Sequence, residues 1–208
     1  MIHRSPSRAG SAAPALAIAL SLSLAGCISV LPKSPPVQLY RFGATSSAVP
    51  PVNGSTRALV AARVVAFDPA AAGDRILTVD GMTAAQIAGV RWVSPAQTLF
   101  QEALDQSLDT SGGALVRVGR GENVAPAYRL DLDVQKFEAR VSTGEGTPEA
   151  QIVVRATLER ADNPAARRDR TFSVDVPAQA NRVGAIVAAL DAATRQILGE
   201  ITAWAQPA

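Results

Sequence analysis

Apolar residues recur along this chain with two different periods, and each period predicts a different element. Tyr128, Leu130, Leu132 and Val134 alternate with Arg129, Asp131, Asp133 and Gln135, and Ile152, Val154, Ala156 and Leu158 repeat the pattern. A third copy, Phe172, Val174 and Val176, follows an Asn163-Pro164 turn. A period of two gives one dry and one wet face, so these segments are expected as strands of an antiparallel sheet. A polar loop over Ser142 to Pro148 and a charged one over Ala161 to Arg168 would join them. Upstream, Arg57 to Phe67 reads as one buried strand, stopped by Asp68-Pro69. Asp74 to Val79 then leads into Asp80-Gly81, suited to a tight hairpin turn, with Ala84 to Val90 returning and the hairpin ending at Arg91-Trp92. Ala114 to Val118 gives a further strand, and Val37 to Phe42 a short edge strand.

The other period is helical. Ser94-Pro95-Ala96-Gln97 has the form of a helix start, with Ser as N-cap, Pro in the first turn and Gln three residues on. Leu99, Phe100, Ala103, Leu104 and Leu108 share one face of that helix, and Gly112-Gly113 ends it. From about Asn181, Val183, Ile186, Val187, Leu190, Ile197, Leu198, Ile201 and Trp204 form the longest amphipathic stripe in the chain. The elements together predict one α+β domain, a mostly antiparallel sheet with two amphipathic helices packed on one face. Its expected span is 57–205.

Ahead of it the pattern breaks down. His3, Arg4 and Arg8 precede an apolar run from Ala12 to Ala25, too short for the roughly 20 residues that cross a bilayer and of the length of a signal-peptide core. The run ends in Leu24-Ala25-Gly26-Cys27, which resembles the lipobox of bacterial lipoproteins. By that resemblance residues 1–26 are a signal peptide cut between Gly26 and Cys27. Cys27 then becomes the mature N-terminus, carrying a diacylglyceryl thioether and an N-acyl chain. Ile28, where Asp would favour inner-membrane retention, points to the outer membrane with the domain facing the periplasm. Residues 27–56, with Pro32, Pro35, Pro36, Pro50 and Pro51, read as a tether.

Processing changes the charge. The whole chain has 20 Lys plus Arg against 18 Asp plus Glu, but Arg4 and Arg8 leave with the signal and the two signs become equal. No basic stripe argues for nucleic acid, and two Trp, two Tyr and five Phe are too few for a stacking platform.

The single histidine, His3, lies in the signal, and the single cysteine is committed to lipid. Histidine-dependent hydrolysis, Cys-His catalysis and histidine metal sites therefore lack their side chains. Gly112-Gly113 and Gly119-x-Gly121 do not form a phosphate loop. No catalytic residue, cofactor or metal is expected. Asp131 and Asp133 share a strand face and offer a carboxylate pair for a hydrolase of envelope polymers, but without a third ligand they read better as a solvated face. Trp92 reads either as an exposed partner anchor or, more in keeping with its place between hairpin and helix, as a cap on the core. Ile76 and Leu77 make the hairpin apolar enough to be considered with it as partner contacts, against plain packing.

Several landmarks now coincide: the lipobox, Val37-Gln38-Leu39-Tyr40, Arg91-Trp92 before a helix, the strand from Tyr128 to Ala139, and the C-terminal amphipathic helix. Together they resemble the ABC-type transport auxiliary lipoproteins, the PqiC-like group. The resemblance implies a non-enzymatic part of an MCE-type lipid-transport system, docking an MCE-domain protein at the outer-membrane end of a bridge between membranes. It leaves a homo-oligomer open. A structural lipoprotein of another envelope machine, such as lipopolysaccharide export, is the alternative reading.

Overall fold

Three long strands frame the domain in a computed structural model that describes residues 36–43, 58–111, 115–119, 121, 123–141 and 146–206. β8 (Tyr128–Arg140), β9 (Glu149–Arg160) and β10 (Arg168–Pro177) are antiparallel neighbours, β9 in the middle. Their alternating apolar residues all turn to one face. In β8 the alternation changes phase: Leu130, Leu132 and Val134 are buried, then Phe137 and Ala139. A β-bulge between Val134 and Lys136 supplies the extra residue that keeps both sets on the dry side.

The rest of the sheet corrects the mostly antiparallel expectation. β2 (Ala58–Ala62), β3 (Ala66–Phe67) and β4 (Leu77–Asp80) all run parallel to β8, and β7 (Leu115–Arg117) runs parallel to β2. The sheet is mixed. β2, β3 and β4 line up in succession along one edge of β8, facing residues 128–130, 133–134 and 139–140. Side-chain alternation reports which face a residue takes and carries no strand direction, so periodicity could not reveal this.

The single strand expected over Arg57 to Phe67 is two strands, split at Arg63 to Val65. The cause is on the neighbouring helix, α1 (Ala96–Thr110): the Val65 N–H donates to Gln101 Oε1 at 2.9 Å, and Gln97 Nε2 donates to the Val65 carbonyl at 2.7 Å. Both backbone groups of Val65 are thus satisfied by side chains instead of a sheet ladder. Gln97 is engaged there and closes no capping box, and Ser94 makes no cap bond. The first amides of α1, at Ala96 and Gln97, donate to the carbonyls of Gly73 and Ala72.

The hairpin is shorter than expected. β4 pairs with β5 (Thr83–Gln86) around Gly81 and Met82, with Gly81 alone at positive φ, +56°, the backbone signature of a II′ turn. Beyond a second positive φ at Gly89, Val90–Trp92 leaves the hairpin as β6. It pairs in parallel with β1 (Gln38–Tyr40) in a separate two-stranded sheet. Val37 to Phe42 thus supplies a strand, but one attached to β6 and not to the main sheet. The folded unit begins at Pro36, so it includes the short strand expected within the tether region.

Both helices cover the dry face. α1 buries Leu99, Phe100, Ala103, Leu104 and Leu108, while α2 (Val183–Trp204) packs on β9, β10 and α1. Thr194, fully buried in α2, donates its hydroxyl to the Leu190 carbonyl at 2.7 Å. Near the β1–β6 sheet the core is aromatic. Phe137 lies at its centre, with ring centroids of Phe42, Phe67, Trp92 and Phe100 at 4.9, 5.5, 6.3 and 6.3 Å. Such pairs add about 0.5–1.5 kcal/mol each beyond area burial. Five aromatic residues from separate parts of the chain are joined there. The expected signal, Cys27 and the Gly112-Gly113 stop lie outside the described residues, as does most of the Ser142 to Pro148 loop.

Candidate functional site

The N-terminal segment of the domain is fastened at four points. β1 pairs with β6, Arg41 bridges to Glu102 at 2.7 Å, Phe42 is 2% exposed beneath Trp92, and the Gly43 N–H donates to Asp191 Oδ1 at 2.8 Å. Gly43 sits at φ +72°, and a Cβ there would lie 2.6 Å from Ala103 Cβ. Only glycine fits so close to the helix.

The β1–β6 sheet has an inner and an outer face. Val90 and Trp92 point inward. By the register Leu39↔Arg91, these two residues take the outer face, with Val37 and Arg41 just beyond the ends of β1 and Val93 just beyond β6 bordering it. Val37 is 45% exposed, Leu39 58% and Val93 44%. Among the described residues six large apolar side chains are exposed, and three of them share this small face. Arg91 donates to Asp74 at 2.8 Å, and that hydrogen bond, with the charges of Arg91 and Arg75, holds the Asp74 carboxyl below its ordinary pKa against an opposing desolvation.

Trp92, Ile76 and Leu77, the residues offered from sequence as partner contacts, are all core groups in this chain taken alone, at 2%, 1% and 8% exposure. Trp92 caps the core and presses its ring against Phe42 and Phe137; its indole Nε1 has no hydrogen-bond acceptor. The apolar surface lies one residue out of phase, at Leu39 and Val93. The signal for it was Val37-Gln38-Leu39, apolar on the face opposite Tyr40, but only the pairing with β6 tells which face is outside.

Asp131 and Asp133 lie on the sheet face away from the helices. Asp131 is 3.3 Å from Arg63 Nε, and Asp133 is exposed beside Arg155 of β9. That face is laced with polar contacts: Lys136 Nζ donates to Gln151, Gln151 Nε2 to Asp175, and the Thr157 hydroxyl to Asp169. Hydrogen bonds from Arg167 and then Thr157 lower the Asp169 pKa to about 2. At the rim of the sheet Arg168 lies over the Trp204 ring at 5.3 Å.

No group of three or more His, Cys, Asp or Glu that could hold a metal occurs among the described residues. A groove of about 600 Å³ runs between the β2–β3 break and α1 and is lined by Val64, Gln97, Thr98, Gln101, Glu102 and Asp105. Its two carboxylates are already engaged, Glu102 by Arg41 and Asp105 by Gln101. These polar groups serve to hold the fold together.

A mixed sheet with two helices on one face, a wet opposite face and a small apolar sheet at its N-terminal entry makes an α+β domain. The same fold is seen in protein XCC0632 from Xanthomonas campestris, of family DUF330, at TM-score 0.67 and 22% identity over 82% of this chain and 95% of that one. An uncharacterized protein shares it at TM-score 0.64 and 16% identity, over 82% and 99%. No curated protein gives a significant match. The family model for the ABC-type transport auxiliary lipoprotein component matches residues 40–202, and the chain belongs to that family.

Proposed function

We propose that the protein is a non-enzymatic, outer-membrane-anchored lipoprotein that faces the periplasm. There it docks an MCE-domain protein of an ABC-type lipid transporter. Family membership carries the reading, since it makes the chain an auxiliary component of an ABC-type transport system. Leu24-Ala25-Gly26-Cys27 supports lipidation at Cys27, and Ile28 in place of Asp supports sorting to the outer membrane. The engagement of that groove's two carboxylates, Glu102 and Asp105, in structural pairs supports a binding role in place of catalysis. Crosslinking in intact envelopes should recover an MCE-domain protein. Recovery of components of another envelope machine, with the transporter preserved, would refute the docking role. Separation of the two membranes by density should place the chain in the outer one, and Cys27→Ser should release it.

A further inference from the structure

We infer that the outer face of the β1–β6 sheet, Val37, Leu39 and Val93 flanked by Arg41 and Arg91, lies against the surface of the membrane that holds the lipid anchor. The inference rests on lipidation at Cys27. From Cys27 to Pro36 is nine residues, and a fully extended chain covers at most about 3.3–3.6 Å per residue, roughly 30 Å in all. Strand β8, with 13 residues at about 3.3 Å each, is longer than that. The start of β1 therefore stays closer to the anchor than the length of one strand, because residues 36–43 are fastened to the core and cannot extend the leash.

The composition of the face fits an interface. Three apolar side chains sit beside two guanidinium groups, and each guanidinium is shared with a carboxylate at the rim, Glu102 or Asp74. Apolar groups enter the boundary between headgroups and acyl chains, and arginine suits anionic headgroups. Three such side chains are too few to hold a free protein on a bilayer. A short leash makes the contact intramolecular, with an effective concentration of the order of millimolar.

Since Cys27 is the sole cysteine and its sulfur is consumed by lipid, one introduced thiol gives a single labelling site. Leu39→Cys, Val93→Cys and Asn163→Cys would each be labelled with a fluorophore in the lipidated protein. The carriers are vesicles of phosphatidylethanolamine with a minority of phosphatidylglycerol, containing headgroup spin-labelled lipid. Asn163 is the control: it follows β9, whose Arg160 pairs with Tyr128 at the opposite end of β8 from Phe137 and Trp92. Groups at the boundary sit within about 5–10 Å of the headgroups, so quenching at 39 and 93 should exceed that at 163 at least about twofold. Adding Leu39→Glu should lower the quenching at 93.

Equal quenching at all three positions overturns the inference, as does label-to-label contact at position 39, which would put a second copy on this face. The mass of the N-terminal peptide separates the two claims. An unmodified Cys27 defeats both the lipidation reading and this inference; a lipidated Cys27 with unquenched labels defeats the inference alone.

Discussion

Gly43→Ala tests whether the segment that leads into the domain is held as tightly as its contacts require. The added methyl would lie 2.6 Å from Ala103 Cβ, where ordinary carbon contact needs about 3.5 Å or more, so segment or helix must yield by most of an ångström. Overpacking of that kind costs about 1–3 kcal/mol. The φ of +72° adds about 1–2 kcal/mol for a residue with a Cβ, partly offset by about 0.4–1 kcal/mol from the stiffer unfolded chain. The expected loss is about 2–4 kcal/mol, limited by the free energy with which residues 36–43 dock. Urea unfolding of the protein from residue 27 onward, followed by circular dichroism, measures it. Fluorescence of Trp92, in contact with the Phe42 ring, reports undocking of the segment separately.

Ala103→Gly supplies the second arm of the cycle. Alone it costs about 1 kcal/mol in helix propensity and about 0.8 kcal/mol for a buried methyl. Combined with Gly43→Ala it removes the overlapping atom, and the next atom, Ala103 Cα at 3.7 Å, is at ordinary contact distance. The double variant should therefore be more stable than the two losses added together, by about 1–3 kcal/mol. Additivity within about 0.5 kcal/mol would refute the close approach of Gly43 to α1.

Phe137→Ala should cost about 3–5 kcal/mol by urea unfolding, because it removes the ring on which four others converge. Gln101→Leu leaves the Val65 N–H without its acceptor and should cost about 1–3 kcal/mol, with faster hydrogen exchange at Val65 as the local mark. Asp169 has its pKa lowered to about 2, so its contribution is present above the unfolded value near 3.9 and fades as pH falls toward 2. Asp169→Asn should flatten that part of an acid unfolding curve, and salt should shrink the difference, since the group is exposed.

What was legible in the sequence followed from side-chain period. The helical faces of α1 and α2 and the three long strands are written as runs of spacing, whereas the bulge, where buried positions pass from Leu130, Leu132 and Val134 to Phe137 and Ala139, emerged only with the pairing of β8 and β9. Strand direction is not written that way, and the parallel insertion of β2, β3 and β4 along β8 follows from how the connections run. Gln97 shows the limit more sharply. Its place three residues after Ser94 fits a capping box, yet an acceptor outside the helix, the Val65 carbonyl, takes its amide. Among the candidate site residues, Trp92 reads from the sequence as belonging to the junction of hairpin and helix, but its burial depends on Phe42, at the end of a short strand whose partner the sequence does not name.

Phe42 also explains why the boundary between tether and domain has mechanical meaning. Arg41, Phe42 and Gly43 reach Glu102 of α1, Phe137 of β8 and Asp191 of α2 within three consecutive residues. Load applied to the N-terminal side of this segment meets the β1–β6 pairing first, and if β1 peels away the contacts at residues 41–43 pass the load to both helices and β8. A loose tether extending to residue 56 would let the domain pivot freely about its anchor. A segment fastened from residue 36 restricts that freedom to the residues before it, and under the proposed docking function the restriction would set the height and the face at which the partner is met.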